Sequence, residues 1–476
     1  MKDIYDRPAA IRRREEVFMK KTILTVLALC ILIITAGVSA EDLISGDFSY
    51  TVLPDGSAEI LRYQGEGTEV SIPAELDGHR VVSVGALAFG HNTVITGVTV
   101  PEGVTAIGDN AFGECTALAS VSLPDGLLTL GDLVFQGCTS LKEAALPGSL
   151  VSIGENPFDR CDLISAVSLP ENHPFYTVTD GVLFDRRNTA LVSYPSGKTD
   201  SSYTVPEWVT AIGLAAFSEN SHLQELTLPD GLSELGGNPF CGCTALKTIR
   251  LSENHLYYEI KESALFNKQN RELVAYLWTG NQPVYNIPEG TASIAQEAFY
   301  KHPELSLVMI PDSVHAIGQA AFAESGLEAV KLPDSITRLE DSLFSGCQKL
   351  RNVVLPKNLT SIGGSVFYEC TYLRQLRLPS GLRSIGAGAF YLCQSLTAVT
   401  IPEGVESLGN YAFAGCFHLS KVTLPKSLRT IGSDIFYGVE SVNLDVAKGS
   451  YAEEWADANG IPHEPDPVEI MQGETI

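Results

Sequence analysis

Residues 124–146 read PDGLLTLGDLVFQGCTSLKEAAL, and the next residue is again a proline, Pro147. The apolar positions inside this stretch are Leu127, Leu130, Val134, Phe135, Cys138, Leu141, Ala144 and Leu146. The same frame returns along most of the 476-residue chain. A fixed period of this length marks a stack of equivalent coils, so the repeat decides the fold before any single helix or strand does.

The phenylalanine of the frame traces the stack: Phe89, Phe112, Phe135, Phe158, Phe217, Phe240, Phe299, Phe322, Phe344, Phe367, Phe390, Phe413 and Phe436, thirteen coils by this count. The steps are 23 residues, except for one of 22 between Phe322 and Phe344 and two of 59. The short step is located at Ser325-Gly326-Leu327. Each long step is one ordinary step plus 36 residues, near 171–206 and 253–288, and the two additions resemble each other. Glu171-Asn172-His173 matches Glu253-Asn254-His255, Leu183-Phe184 matches Leu265-Phe266, and Leu191 to Tyr194 matches Leu273 to Tyr276. Both follow an Asn-Pro-Phe coil, at Asn156 and Asn238, which makes them a duplication with an 82-residue offset and predicts two hairpin inserts.

Within one coil the residues before Pro124 alternate as a short strand, with Leu118, Val121 and Leu123 facing in and Ser120 and Ser122 facing out. Pro124-Asp125-Gly126 then turns the chain, because proline presets φ and glycine tolerates positive φ. Leu130-Gly131 and Phe135 bring it back along the far side. One coil alone cannot bury its ring and leucines, whereas stacked coils share apolar columns in which each side chain contributes roughly 1.5–3 kcal/mol. At the ~4.8 Å strand spacing, thirteen coils extend about 60 Å. A stack needs closed ends. Residues 41–78 supply a capping hairpin, Phe48 to Val52 and Ala58 to Tyr63 joined through Pro54-Asp55-Gly56, before the solenoid at 79–445. Residues 446–461 supply a short helix over Ser450 to Asn459, and the proline-rich, acidic residues 462–476 are expected to form a loose tail.

Residues 1–40 carry an export signal: Lys20 and Lys21 precede the apolar run Ile23 to Ile34, and Val38-Ser39-Ala40 offers a cleavage site. The second Met-Lys-Lys, at Met19, is the natural start of such a signal. The alternative is an uncleaved anchor, since Thr22 to Ala40 is uncharged and nearly reaches the ~20 residues that span a bilayer. Either way the chain after Ala40 lies outside the membrane, secreted or at the cell surface. Its balance is acidic, net −25 for the whole chain. That excludes nucleic acid as a global partner, and membrane beyond the signal segment.

Ten cysteines in an exported chain first suggest disulfides. Their spacing suggests otherwise: Cys115, Cys138 and Cys161 recur with the coil, as do Cys347, Cys370, Cys393 and Cys416. Stacked positions ~4.8 Å apart with parallel side chains do not match disulfide geometry, so these are buried thiols. Cys241-Gly242-Cys243 leaves a strained disulfide open.

The frame Leu-Pro-x-x-Leu-x-x-Ile-Gly-x-x-Ala-Phe-x-x-Cys-x-x-Leu, the phrase from Ile72-Pro73 through Phe89, and the Asn-Pro-Phe coils with their inserts resemble the BspA-like leucine-rich-repeat family of bacterial surface and secreted proteins. The resemblance covers roughly residues 48–461. It implies a leucine-rich-repeat solenoid, with short parallel strands on one face and turns or short helical or extended segments on the other. It also implies an extracellular adhesion or protein-binding role towards host or partner-cell proteins.

Motifs for catalysis do not emerge. The chain has no His-Glu-x-x-His, no Gly-x-Ser-x-Gly and no phosphate loop. The nine histidines are scattered without metal spacing: His173 and His255 take equivalent insert positions, and His302 replaces a column cysteine. Neither insert nor terminus has room for a catalytic domain. The expectation is a binding protein without catalytic residues, metal or cofactor. An acidic column after the prolines (Glu102, Asp125, Glu207, Asp230, Glu289, Asp312, Asp334, Glu403) would suit calcium, yet turns favour Asp in any case and Gly148, Lys357, Ser380 and Lys426 interrupt it.

The outward strand positions are more informative. In later coils they carry Lys247, Arg250, Lys331, Arg351, Arg374, Gln375, Arg377 and Lys421, with Glu328 as an acid among them, against Thr99, Ser120, Ser122, Ser168 and Thr227 earlier. Arginine suits bidentate contact with carboxylates, and the strand face of such solenoids is concave and commonly binds partners. A macromolecular ligand is therefore expected there, centred on Arg351, Arg374 and Arg377, although a merely solvated strand face would look the same. A second stripe, Tyr300, Tyr368, Tyr391 and Tyr437, would suit a glycan or protein. A passive structural or matrix protein without a ligand is the remaining alternative.

Overall fold

Each coil sets two very short strands side by side with those of its neighbours. Thr129–Leu130 pairs in parallel register with Ala106–Ile107 before it and Ser152–Ile153 after it. Ser120–Ser122 pairs likewise with Gly97–Thr99. The computed structural model describes residues 42–277 and 283–465, and over these it is a solenoid of such coils with a single short helix. The expected leader and its start at Met19, and the tail after Pro465, lie outside the described residues. Among the described residues no helix is long and apolar enough to cross a membrane.

The interior is what the frame requires. Leu127, Leu130, Val134, Phe135, Cys138 and Leu141 are all buried, and the rings form one column: Phe112 and Phe135 lie 5.4 Å apart and 9° from parallel, Phe390 and Phe413 5.2 Å and 3°. The backbone turns sharply on either side of each ring, through residues in the left-handed region such as Leu133 (φ 55°) and Gly137 (φ 70°). The recurring glycine after the short strand has a packing cause. A Cβ on Gly386 would lie 2.5 Å from the carbonyl carbon of Gly363 in the coil below, too close for any side chain.

The count of thirteen coils is too low. The ring column continues through tyrosines: Tyr63 lies 5.3 Å from Phe89, Tyr194 5.0 Å from Phe217 and Tyr276 5.3 Å from Phe299, all stacked. From Glu69–Ser71 to His463–Pro465 the strand face has about seventeen segments, hence about seventeen turns. A search for phenylalanine at a fixed spacing passes over the extra coils because their ring is a tyrosine, set three residues after its short-strand leucine (Leu191 to Tyr194) where Leu130 and Phe135 are five apart.

Each 36-residue addition is therefore a coil with a hairpin grown into it. In the first, Tyr176–Thr179, Val182–Asp185 and Ala190–Ser193 form an antiparallel sheet whose last strand rejoins the stack against Ala211–Ile212. Tyr258–Lys261, Ala264–Asn267 and Glu272–Tyr276 do the same in the second. The histidines hold the turns that lead into the hairpins. His173 Nδ1 accepts from the backbone N–H of Tyr176 and His255 Nδ1 from that of Tyr258, both at 3.1 Å. The Asn-Pro-Phe asparagines bridge the inserted coils: Asn156 Nδ2 donates to Ala215 O (2.7 Å) and Asn238 Nδ2 to Glu297 O (2.9 Å).

The nine described cysteines are free, Cys241 and Cys243 included. The column thiols bond alike. Each donates to the carbonyl of the ring residue one coil earlier, as Cys138 Sγ to Phe112 O (3.2 Å) and Cys393 Sγ to Phe367 O (3.1 Å). Burial pushes the thiol of Cys115 up to about 11 and those of Cys347 and Cys416 to about 12, which keeps them protonated and unreactive. His302 makes the equivalent bond to Tyr276, and burial lowers it to about 4.

Both ends are closed. Phe48–Val52 and Ala58–Tyr63 form an antiparallel hairpin with Leu43–Ser45 added outside. At the other end Ser450 caps a helix, Tyr451–Ala458, whose Trp455 packs edge-on to Phe436. His463–Pro465, placed by sequence in a loose tail, instead adds a parallel strand to Asn443–Val446. That strand covers backbone groups which an open edge would leave unpaired.

Candidate binding surface

The short strands expose every second residue, and all eight polar residues singled out on them (Lys247, Arg250, Lys331, Arg351, Arg374, Gln375, Arg377 and Lys421) are exposed. Their surroundings differ. Arg250 lies across from Glu225 on the preceding coil, with Nη2 to Oε2 at 2.9 Å. Lys421 Nζ sits 3.5 Å from Asp445 Oδ2. These two cations are neutralised by acids on the same face.

The region from Arg351 to Arg377 is built differently. Strands run unbroken from Val284–Asn286 through Leu307–Met309 and Ala329–Lys331 to Asn352–Val354, and again from Ala398–Thr400 onward. Between them, residues 374–377 form no ladder, and the one backbone bond in which they take part is Thr397 N–H to Arg374 O at 3.4 Å. The coil itself stays in the stack: Leu373, Leu376 and Leu378 are buried, and Ser361–Ile362 and Ser384–Ile385 remain paired on the other side. The strand face is interrupted likewise between Ser120–Ser122 and Ala144–Ala145, but at 374 the coils also bring two cations together. Arg351 and Arg374 occupy equivalent places on successive coils, and a closed ladder would hold them about 5 Å apart.

Beside the interruption lies an open depression of about 780 Å³ lined by Arg351, Asn352, Val353, Val354, Tyr372, Arg374 and Gln375. The Arg351 guanidinium lies 5.1 Å from the centre of the Tyr372 ring. Among the described residues, Arg374, Gln375 and Arg377 have no side-chain hydrogen bond or ion pair. Unpaired guanidinium groups beside unpaired backbone N–H groups make a donor-rich surface, suited to carboxylates on an extended chain. Lys331, one coil earlier, adds a cation in register with Val354. Sequence reading missed Tyr372, whose signal was an aromatic where Ala117, Ser140 and Ser395 stand in other coils.

The tyrosine stripe splits. Tyr368 and Tyr391 stack 5.4 Å apart and 5° from parallel. Tyr300 is engaged elsewhere, its hydroxyl donating to Glu324 at 3.0 Å, and Tyr437 is exposed near the end of the stack. Among the described residues no three His, Cys, Asp or Glu side chains gather where a metal could be held.

The repeat can be compared with known families. A model of the BspA type leucine rich repeat region, six copies long, matches residues 82–200, 196–276, 273–397 and 360–449. The chain belongs to this family. Solved structures similar to this BspA-type chain include a leucine-rich repeat protein from Bacteroides ovatus, 24% identical, covering 90% of this chain and 100% of that one with a TM-score of 0.38. A leucine rich cell surface protein from Faecalibacterium prausnitzii is 26% identical over 88% of this chain and 98% of its own, TM-score 0.37. The pneumococcal vaccine antigen PcpA is 18% identical over 90% and 99%, TM-score 0.39. Among curated proteins no match is found.

Proposed function

We propose that this BspA-type chain is an extracellular, non-enzymatic binding protein whose strand face engages an acidic stretch of a partner-cell or host macromolecule at Arg351, Arg374 and Arg377. The observation that carries the reading is the interrupted ladder at 374–377, where Arg351 and Arg374, without an ion-pair partner among the described residues, line a 780 Å³ depression in a strongly acidic protein and Arg377 lies exposed close by in sequence. An acidic chain that keeps unpaired cations together on its strand face offers a specific contact there. The apolar run before Ala40 supports export, and membership of the BspA type family supports a surface role.

The test is retention of a partner from extracellular or host-cell material by the chain, followed by Arg351→Glu, Arg374→Glu and Arg377→Glu together. The triple variant should bind that partner about 100-fold more weakly, the loss expected for several charge-assisted contacts, with an unchanged melting temperature. Unchanged affinity would remove the site. A glycan ligand is the second reading, favoured by the stacked Tyr368–Tyr391 pair. It predicts that Tyr391→Ala, and not the arginine triple, abolishes signal on a glycan array. A passive matrix protein would retain nothing in either assay.

A further inference from the structure

The two hairpin coils are copies 82 residues apart, and they differ at one place that changes what the surface can hold. In the first copy Phe184 is buried, and the indole of Trp208, from the Pro206-Glu207-Trp208-Val209 turn of the next coil, packs on it with ring centres 5.2 Å apart and planes tilted by 56°. In the second copy Phe266 stands where Phe184 does, and the corresponding turn is Pro288-Glu289-Gly290-Thr291. Gly290 takes the place of Trp208. Nothing lies within 4 Å of where its Cβ would be. At the place filled by the indole in the first copy the second has an opening of about 410 Å³, with the edge of Phe266, 6% exposed, among its walls.

The rim has changed with it. Lys261 and Arg271 line the opening at the positions of Thr179 and Thr189 in the first copy; Glu259, at the position of Thr177, and Glu289, the counterpart of Glu207, line it as well. Both cations are exposed, and among the described residues neither has an ion-pair partner. The third cation, Lys268, is occupied, its Nζ donating to His255 O at 2.6 Å. One copy thus carries its own aromatic plug and threonines at 179 and 189, while the other lacks the plug and sets two cations without ion-pair partners beside Glu259 and Glu289.

We infer that the second hairpin is a binding pocket for an aromatic carboxylate, whose ring rests on Phe266 as Trp208 rests on Phe184 and whose carboxylate meets Arg271 and Lys261. Offset or tilted ring pairs are favourable beyond the area they bury, and a guanidinium matches a carboxylate with two parallel bonds. The same chemistry is offered by a free aromatic acid and by an aromatic residue beside an acid in a peptide. The pocket lies in earlier coils than the Arg351–Arg377 opening and stands independently of it.

The test is calorimetric titration of the purified chain with N-acetyl-tryptophan, with N-acetyl-tryptophan amide as the uncharged control and a peptide with an internal Trp-Glu pair to distinguish the two sources. The unaltered chain should bind the acid at one site, about tenfold or more tightly than the amide. Lys261→Glu with Arg271→Glu should erase that preference without altering the melt, since both residues are exposed. Gly290→Trp should plug the pocket and abolish binding; because Gly290 has φ +87°, circular dichroism must accompany it. Trp208→Gly should open a second site without the preference for the acid, since threonines stand there in place of Lys261 and Arg271. Absence of binding by the unaltered chain, or binding that survives both the charge reversal and Gly290→Trp, overturns the inference. Failure of Trp208→Gly to add a site would refute the seat that Phe184 and Phe266 are argued to share.

Discussion

Two stretches of the same strand face carry outward arginines on similar coils, yet they are in opposite states. At Glu225–Thr227 and Thr248–Arg250 the strands pair in register and Arg250 is bonded to Glu225. Between Asn352–Val354 and 374–377 the ladder is absent, and among the described residues the arginines form no ion pair, although Glu328 precedes Arg351 by one coil. The interior beneath both is the same: Phe217 and Phe367 are each fully buried in the ring column. The difference shows that the ring and leucine columns hold the coils together, while the strand hydrogen bonds can be surrendered locally, here and between Ser120–Ser122 and Ala144–Ala145.

If that division holds, Phe217→Ala and Phe367→Ala should cost alike, about 3–5 kcal/mol each, because the cavity left in the column does not depend on the sheet above it. Denaturant titration with local probes checks this, and a much smaller loss at Phe367 would mean that the stack itself is loosened there. His302 marks a weaker point in the column between the two stretches. Its folded pKa is lowered from 6.5 to about 4, so its contribution to stability is complete above pH 6.5 and is lost as pH falls from there through about 4. At most about 3 kcal/mol is at stake. His302→Cys restores the column residue and should remove that acid sensitivity, which melts at pH 7 and pH 4.5 would reveal. The smallest effect is expected at the closed stretch. Glu225→Ala frees Arg250 and should leave the melting temperature unchanged, since exposed pairs contribute little. It should raise retention of an acidic partner by about twofold at low salt.

The solenoid was legible because its signal is repeated: a ring, a cysteine and three leucines at fixed offsets return in coil after coil, and any one departure is outvoted. What eluded the sequence were the places where a rule is met by different residues. Tyr194 and Tyr276 do the work of phenylalanine in coils shortened before the ring, so the count of turns fell short. The column cysteines were recognised as buried thiols, but their bond to the previous coil's carbonyl depends on backbone geometry that spacing alone does not reveal. On the strand face, composition picked out Arg250 and Arg374 alike. Only coordinates separate an arginine bonded across the sheet from one left beside a broken ladder, because the choice depends on which acid faces it one coil away. The opening at Gly290 was invisible for a related reason: a missing side chain has no motif, and its meaning emerges only against Trp208 in the other copy.

Hydrogen exchange read by mass spectrometry, comparing peptides over 374–378 with those over Thr248–Arg250, tests the central claim most directly. Unladdered amides should exchange at least ~1,000-fold faster than laddered ones of the same solenoid, while the neighbouring Ser361–Ile362 and Ser384–Ile385 strands stay protected. Equal, slow exchange in both stretches would show that the strand face is closed throughout and that no opening exists at the arginines.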